Sequence, residues 1–562
     1  MKDRASRSIR RPCLAQVLRG SVVVCATLAL GPLAVACGDS LESGTYPTSG
    51  NNSGNNGATN NGCCANNGSA NNGTNNSTNN GFIPEPEERL DFRRPQASAE
   101  YVFVANPELD SVAKINGLTL EITSIEVGDR PTVVRASPDT DTAVALNEGS
   151  ADVSIIHASA EVDDVITLPV RAGFNNIAMA PGGAWAVAYL DYAEVQVGDD
   201  IGTFQDVNVI KLEEGREAVF NVAVGFHVIE VEFDDDGERA FVVTEDGVSV
   251  LHAATIVEDT NAQPRAVSLD PLEDAQSIDR EVEVTANGEL ALVRSSVLEG
   301  INIVALSGRS RIETLTLPGV PTDLDLYPDS TRAVAVIKGT RQLALIDLAL
   351  AVDSPETAVE LIDIPDGPIG LATLDPGNDR ALLYSVSEGT PALTRVDFAT
   401  SKQTVWQIRK AIQGVEISPS GGRAVIFHPA NTTPTSMSEA DRVVAASYAY
   451  TIIELQSGFS RLQTTPARPG EYAFTNDSRW MFIAMDDPSD RVRQVDRIDL
   501  QTFRVDNLTL TSPPQHIGRL PEGAAFDIYV SQKHAAGRMT FFATDDSEAK
   551  TVTGFELNSQ IE

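Results

Sequence analysis

The sequence predicts an all-β chain in which four-stranded antiparallel sheets stand side by side in a ring, the β-propeller arrangement. Three observations predict it. Beyond Pro95 the chain runs in short stretches rich in Val, Ile, Leu, Ala and Thr, broken by Gly, Pro, Asp and Asn, which reads as strands and turns. One hairpin pattern recurs along it. Helical periodicity of any length is missing.

The recurrent hairpin is an apolar strand, a Pro-Asp or Asn-Gly turn, and a second apolar strand. It appears first as PTVVRASPDTDTAVAL (131–146), then as NNIAMAPGGAWAVAY (175–189) and HVIEVEFDDDGERAFVV (227–243). REVEVTANGELALV (280–293), PTDLDLYPDSTRAVAV (321–336), IGLATLDPGNDRALLY (369–384), GVEISPSGGRAVIF (414–427) and YAFTNDSRWMFIAM (472–485) follow, with a looser copy at 524–544. The turn residues lie 41 to 57 residues apart, room for one four-stranded unit each. A third strand follows each hairpin, as in DVSIIH (152–157) or QLALID (342–347), and then a fourth, as in DDVITLPV (163–170). Such a unit cannot cover both of its own faces, so units must stack.

At residues 101–140 the text is YVFVANPELDSVAKINGLTLEITSIEVGDRPTVVRASPDT. Its Y-V-x-N strand, S-V-x-x-I strand, I-x-V-G-x-x-P corner and S-P-D turn resemble the YVTN-type β-propeller repeat. The resemblance implies an extracytoplasmic propeller from about Pro95 to the end. It transfers no catalytic residue, because the motif is structural. Eight blades are expected, with seven as the alternative. Residues 101–127 supply strands two to four with no hairpin before them, so the two ends of the chain are expected to complete one shared blade.

The N-terminal part reads differently. Lys2, Arg4, Arg7, Arg10, Arg11 and Arg19 precede an apolar run at 22–30, too short to span a bilayer, and AVACG (34–38) closes it. This is similar to a bacterial lipoprotein signal, which implies cleavage after residue 36 and lipidation of Cys37. Residues 37–94 contain NNSGNNGATNNGCCANNGSANNGTNNSTNNG, which has nothing to bury and reads as a disordered tether with an r.m.s. span of roughly 40 Å. The expected organisation is therefore a signal peptide at 1–36, a tether at 37–94 and a propeller at 95–562, held in the cell envelope, on an outer membrane, by an N-terminal lipid. No cysteine follows Cys64, so the folded part has no disulfide framework.

A formal charge of −37 argues against nucleic-acid partners. In a propeller, connections between strands two and three and between strands four and one emerge on one face. The insertions at 190–206, 428–446 and 485–494 fall there, and carry Asp199, Asp200, Asp486 and Asp487 among many acids. Arg130, His227, Arg468 and Glu471 sit in four-to-one corners near the channel mouth. These eight residues are the candidate binding set, on an acidic, loop-rich face suited to a cationic or protein partner. The chain is expected to be a monomeric binding or scaffold module, the alternative being a propeller hydrolase or lyase acting on a small substrate. The oxygen-rich turns SPDTDT (137–142) and FDDDGE (233–238) lack calcium-loop spacing, the histidines show no zinc pairing, and three tryptophans are too few for quinone docking. No metal or cofactor is expected.

Overall fold

The computed structural model describes residues 95–555, apart from 193–194, 196–203, 259–261, 270–279, 310, 388–390, 432–437, 522, 535 and 545–548. These residues build ten four-stranded antiparallel sheets, each a meander in chain order. Blades 1 to 10 run over 96–126, 131–169, 176–223, 228–267, 280–316, 323–363, 371–407, 414–465, 468–509 and 514–553. The fold is a ten-bladed β-propeller.

Ten blades, and not eight or seven, follow from how the chain begins and ends. A strand of only two residues, Gln96–Ala97, pairs with Tyr101–Asn106 and completes blade 1 from within the N-terminal part. The last sheet takes all four of its strands from 514–553. The expected shared blade is therefore absent, and each end closes its own sheet. A two-residue strand carries no periodicity, which is why the sequence shows nine hairpins for ten blades.

The ring is closed by side chains. Within a blade, strands two and three lie between neighbours and are apolar almost throughout, as in Thr142–Asn147 and Asp152–His157, whereas the outer strand Asp164–Pro169 alternates. Each pair of consecutive blades shares one core: Val144, Leu146 and Ile155 of blade 2 meet Ile177, Ala186 and Ile210 of blade 3. The same arrangement joins the last blade to the first, where Leu520, Met539 and Phe541 meet Val102, Ala113 and Ile115. Across that seam the Tyr529 hydroxyl donates to the Pro95 carbonyl, and the Ala525 N–H donates to the Gly117 carbonyl at 3.3 Å.

The innermost strands follow a rule that the sequence did not reveal. Their side chains alternate between the two flanking blades. In blade 9, Tyr472 and Phe474 pack with Val425 and Phe427 of blade 8, while Ala473 packs with Ile528 of blade 10. Positions facing the next blade are often polar, and several reach its inner backbone. Arg135 Nε donates to the Ile177 carbonyl at 2.9 Å. Asp323 Oδ2 accepts from the Ala372 N–H at 2.6 Å, Thr373 Oγ1 donates to the Val415 carbonyl at 3.2 Å, and Glu471 Oε2 accepts from the Ile517 N–H at 3.1 Å. An inner strand has one unpaired edge, and these side chains satisfy part of it.

The strand order places the two longest connections, 190–205 and 429–447, on the face that also carries the four-to-one corners. The opposite face is not bare. The three-to-four connections of blades 4 and 6 hold α1 (Ala253–Glu258) and α2 (Leu348–Ala351), the latter capped by Asp347. None of the helices among the described residues is long and apolar enough to cross a membrane.

Candidate functional sites on the loop-rich face and channel wall

A buried polar residue at the third position of strand three holds the corner that leads into its own blade. Ser154 Oγ accepts from the Gly128 N–H at 3.3 Å, Asn208 Oδ1 from the Arg171 N–H at 2.8 Å, and Ser249 Oγ from the Gly225 N–H at 3.3 Å. Asn302 and Thr394 donate to the Leu269 and Pro368 carbonyls in the same way. These residues position the corners that carry Arg130 and His227. Their signal, a Ser, Asn or Thr two residues into an apolar strand, is present in the sequence and was not among the features singled out there.

The corner residues prove to be conformationally special. Arg130 and His227 both adopt left-handed backbone, with φ of 52° and 50°. Asp110 accepts from the Arg130 N–H at 2.7 Å, and the exposed guanidinium lies 3.7 Å from Glu148. The His227 ring stacks on Tyr192, with centroids 3.8 Å apart, and its Nδ1 lies 3.0 Å from Glu245 Oε1. Asp486 is the cross-strand partner of Arg468 in blade 9. Asp487 accepts from the Ser489 hydroxyl and from the N–H groups of Ser489, Arg491 and Val492. Those bonds, the Ser489 hydroxyl first, hold its carboxyl down to about 2. It is the organiser of its own loop. Asp199, Asp200 and Cys37 lie outside the described residues.

The structure thus brings Arg468, Glu471, Asp486 and Asp487 together in blade 9, and leaves Arg130 and His227 in separate sectors. To blade 9 it adds a residue from blade 10. His516 Nδ1 lies 3.0 Å from Glu471 Oε1, both side chains are 16% exposed, and both strands are irregular there, between Pro469 and Tyr472 and between Pro514 and Ile517. Such bulges re-aim side chains.

The six histidines divide by their partners. His428 is fully buried, with its ring between the Ala411 carbonyl at 2.8 Å and Thr451 Oγ1 at 2.7 Å. Burial pushes its pKa down to about 4, which keeps it neutral. His157 is engaged at both nitrogens, by Thr142 and by Glu217 of the next blade. His534 Nδ1 accepts from the Ala536 N–H, and His252 is exposed. Only His227 and His516 have a carboxylate at Nδ1 and no described partner at Nε2.

Beside His428 lies a second buried group. Lys410, 4% exposed, donates to the Val444 and Ala445 carbonyls at 3.0 and 2.9 Å, in the last turn of α3 (Glu439–Ala446). Its burial lowers its pKa, while the helix terminus supplies the partial negative charge it faces. Ser438 caps the other end, its hydroxyl accepting from the Asp441 N–H. None of the residues of α3 is buried, so these two ends hold an element that packing does not. A Lys410→Met substitution is expected to raise amide exchange over 439–446 at least tenfold, with little change in blades 2 to 6. Unchanged exchange there would show that α3 is held by something else.

Acids stand on both faces. The opposite one has its own acids, among them Asp139, Asp141, Asp235, Asp236 and Glu238. Asp141 accepts from the Ser98 hydroxyl and the Glu100 N–H, and Asp234 from the N–H groups of Glu238 and Arg239, so the oxygen-rich turns use these carboxylates to cap backbone. Among the described residues no group of three or more His, Cys, Asp or Glu side chains is arranged to hold a metal ion.

No protein-family model matches the chain, and no curated protein matches it. Solved structures similar to it include a eukaryotic initiation factor, with a TM-score of 0.47 and 12% identity over 73% of this chain and 96% of that one. The dihydro-heme d1 dehydrogenase NirN in complex with DHE gives a TM-score of 0.39 and 14% identity, over 66% of this chain and 74% of that one. The Kuenenia stuttgartiensis hydrazine synthase gives 0.29 and 15%, over 58% and 99%. The chemistry of the sites therefore rests on this chain's own residues.

Proposed function

We propose that this protein is an envelope binding or scaffold module: a monomeric ten-bladed propeller, anchored through Cys37 and held off an outer membrane by its asparagine-rich tether, that engages a protein or cationic partner through the loop-rich face. The observation that carries the reading is α3. The ring does not need it, since none of its residues is buried, yet a buried lysine and a serine cap hold it out from the surface. Ordered elements of that kind on a rigid scaffold are typical of binding loops. The acids of this face favour a cationic partner.

Two experiments test it. A Cys37→Ser chain should move from the membrane fraction to the soluble fraction, and retention in the membrane would remove the anchor. For the face, 429–447 is replaced by a short Gly-Ser turn and photo-crosslinking in intact envelopes is compared with an Asp235→Lys, Asp236→Lys control on the other side. The partner adduct should disappear in the first and persist in the second. An adduct that survives the replacement sinks the assignment of the face.

A further inference from the structure

We infer that Glu471 and His516 form a general-base centre at the wall of the central channel, able to hydrolyse small carboxylic esters. The inference goes beyond binding at the loop-rich face and stands or falls independently of it.

The argument begins with the tautomer. A carboxylate can only accept, so the contact of His516 Nδ1 with Glu471 Oε1 at 3.0 Å places the imidazole proton on Nδ1. The Nε2 lone pair is then available, and none of the described residues bonds to it. Glu471 cannot swing away easily, because its second oxygen accepts from the Ile517 N–H at 3.1 Å. The backbone of His516 is tied in turn, its N–H donating to Ser531 Oγ at 3.1 Å. An imidazole fixed in one tautomer by an anchored carboxylate, with the far nitrogen open, is the arrangement a general base requires.

Location distinguishes this pair from the others. Both residues stand on innermost strands of adjacent blades, at irregular points of each strand, and are accessible without being fully exposed. Beside the same irregularity, Arg468 has a buried Nε with no hydrogen-bond partner. On other inner strands the acids are engaged within the ring, as Glu281 is with Arg294 and Asp323 with the Ala372 N–H. His157, by contrast, has both nitrogens occupied, and His428 is sealed in the core.

In the reaction, His516 Nε2 takes a proton from water as the water oxygen bonds to the ester carbonyl carbon. The bond from that carbon to the alkoxy oxygen then breaks, and the imidazolium returns its proton to the departing alkoxide. One water and one ester give one acid and one alcohol, with no oxidant or further reactant.

The test uses the full-length purified protein and 4-nitrophenyl acetate. The wild-type chain should hydrolyse it faster than an equal concentration of free imidazole. His516→Asn should remove on the order of 10²-fold of that rate or more. Glu471→Gln should lower kcat about tenfold and leave KM nearly unchanged, because the carboxylate that orients the imidazole is gone. His252→Asn should change nothing. Melting curves establish that each variant folds. If His516→Asn does not fold, acylation of wild-type histidines by diethyl pyrocarbonate is read by mass spectrometry. His516 should then react ahead of the more exposed His252. A wild-type rate no greater than that of imidazole, an unchanged kcat in Glu471→Gln, or slower acylation of His516 than of His252 overturns the inference.

Discussion

Replacing Glu416 with Gln should stabilise the protein in alkaline solution, by an amount that grows as the pH rises toward 8. Glu416 lies on the inner strand of blade 8 (Gly414–Ile417), 7% exposed. Burial pushes its pKa up to about 8, against a hydrogen bond from Tyr472 that acts the other way. The sign follows from proton counting. Between 4.5, the ordinary value, and about 8, the unfolded chain has lost this proton and the folded chain has kept it. The unfolded state then binds fewer protons, so stability falls as pH rises through the window. The full effect is on the order of 3–5 kcal/mol, a large part of the stability of any domain. Glutamine keeps the shape and the capacity to bond and does not titrate. Urea midpoints at pH 5 and pH 8 should therefore diverge for the wild type and converge for the variant; parallel shifts would mean that Glu416 is already ionised in the fold.

His428 acts in the opposite direction on the acid side. Burial holds its imidazole down to about 4, from an ordinary 6.5. Between those values the unfolded chain takes up a proton that the folded chain refuses, so stability falls as pH drops through the window. Both groups lie on strands of blade 8.

Phe541→Ala should cost about 3–5 kcal/mol. Its ring is fully buried in the core shared by blades 10 and 1. Position matters as much as size, because this seam alone joins blades that are not consecutive in sequence. The two sheets share no strand, so packing and a few hydrogen bonds hold the circle shut. Amide exchange should accordingly rise in both 96–126 and 514–553. Phe241→Ala, an equally buried ring between blades 4 and 5, removes similar packing where the chain itself keeps the blades together. Its exchange should rise around 228–316, with the terminal blades protected. The same exchange pattern from both substitutions would show that the ring opens only as a whole.

Much of the fold was legible because a blade is a local object. Hairpins such as 131–146 and 414–427 announce themselves through alternation and turn residues; the eight clear ones became the first two strands of a blade, and the looser one at 524–544 became strands two and three of blade 10. The number of blades was not legible. It depends on Gln96–Ala97, a strand too short to leave a pattern, and on a packing contact between the two ends. Of the candidate residues, the sequence placed Arg130 and His227 correctly in corners, since Gly-Asp-Arg-Pro and Gly-Phe-His are corner texts. It made Asp487 a ligand candidate, where the structure makes it the cap of its own loop.

The sequence by itself determined the β-blade, its repetition, and which connections are long, because these depend on neighbours within a few tens of residues. Only the tertiary structure decided the circumference of the ring and the meeting of Glu471 with His516, 45 residues apart. Both depend on how one sheet leans on the next, a distance that alternation along a strand does not encode.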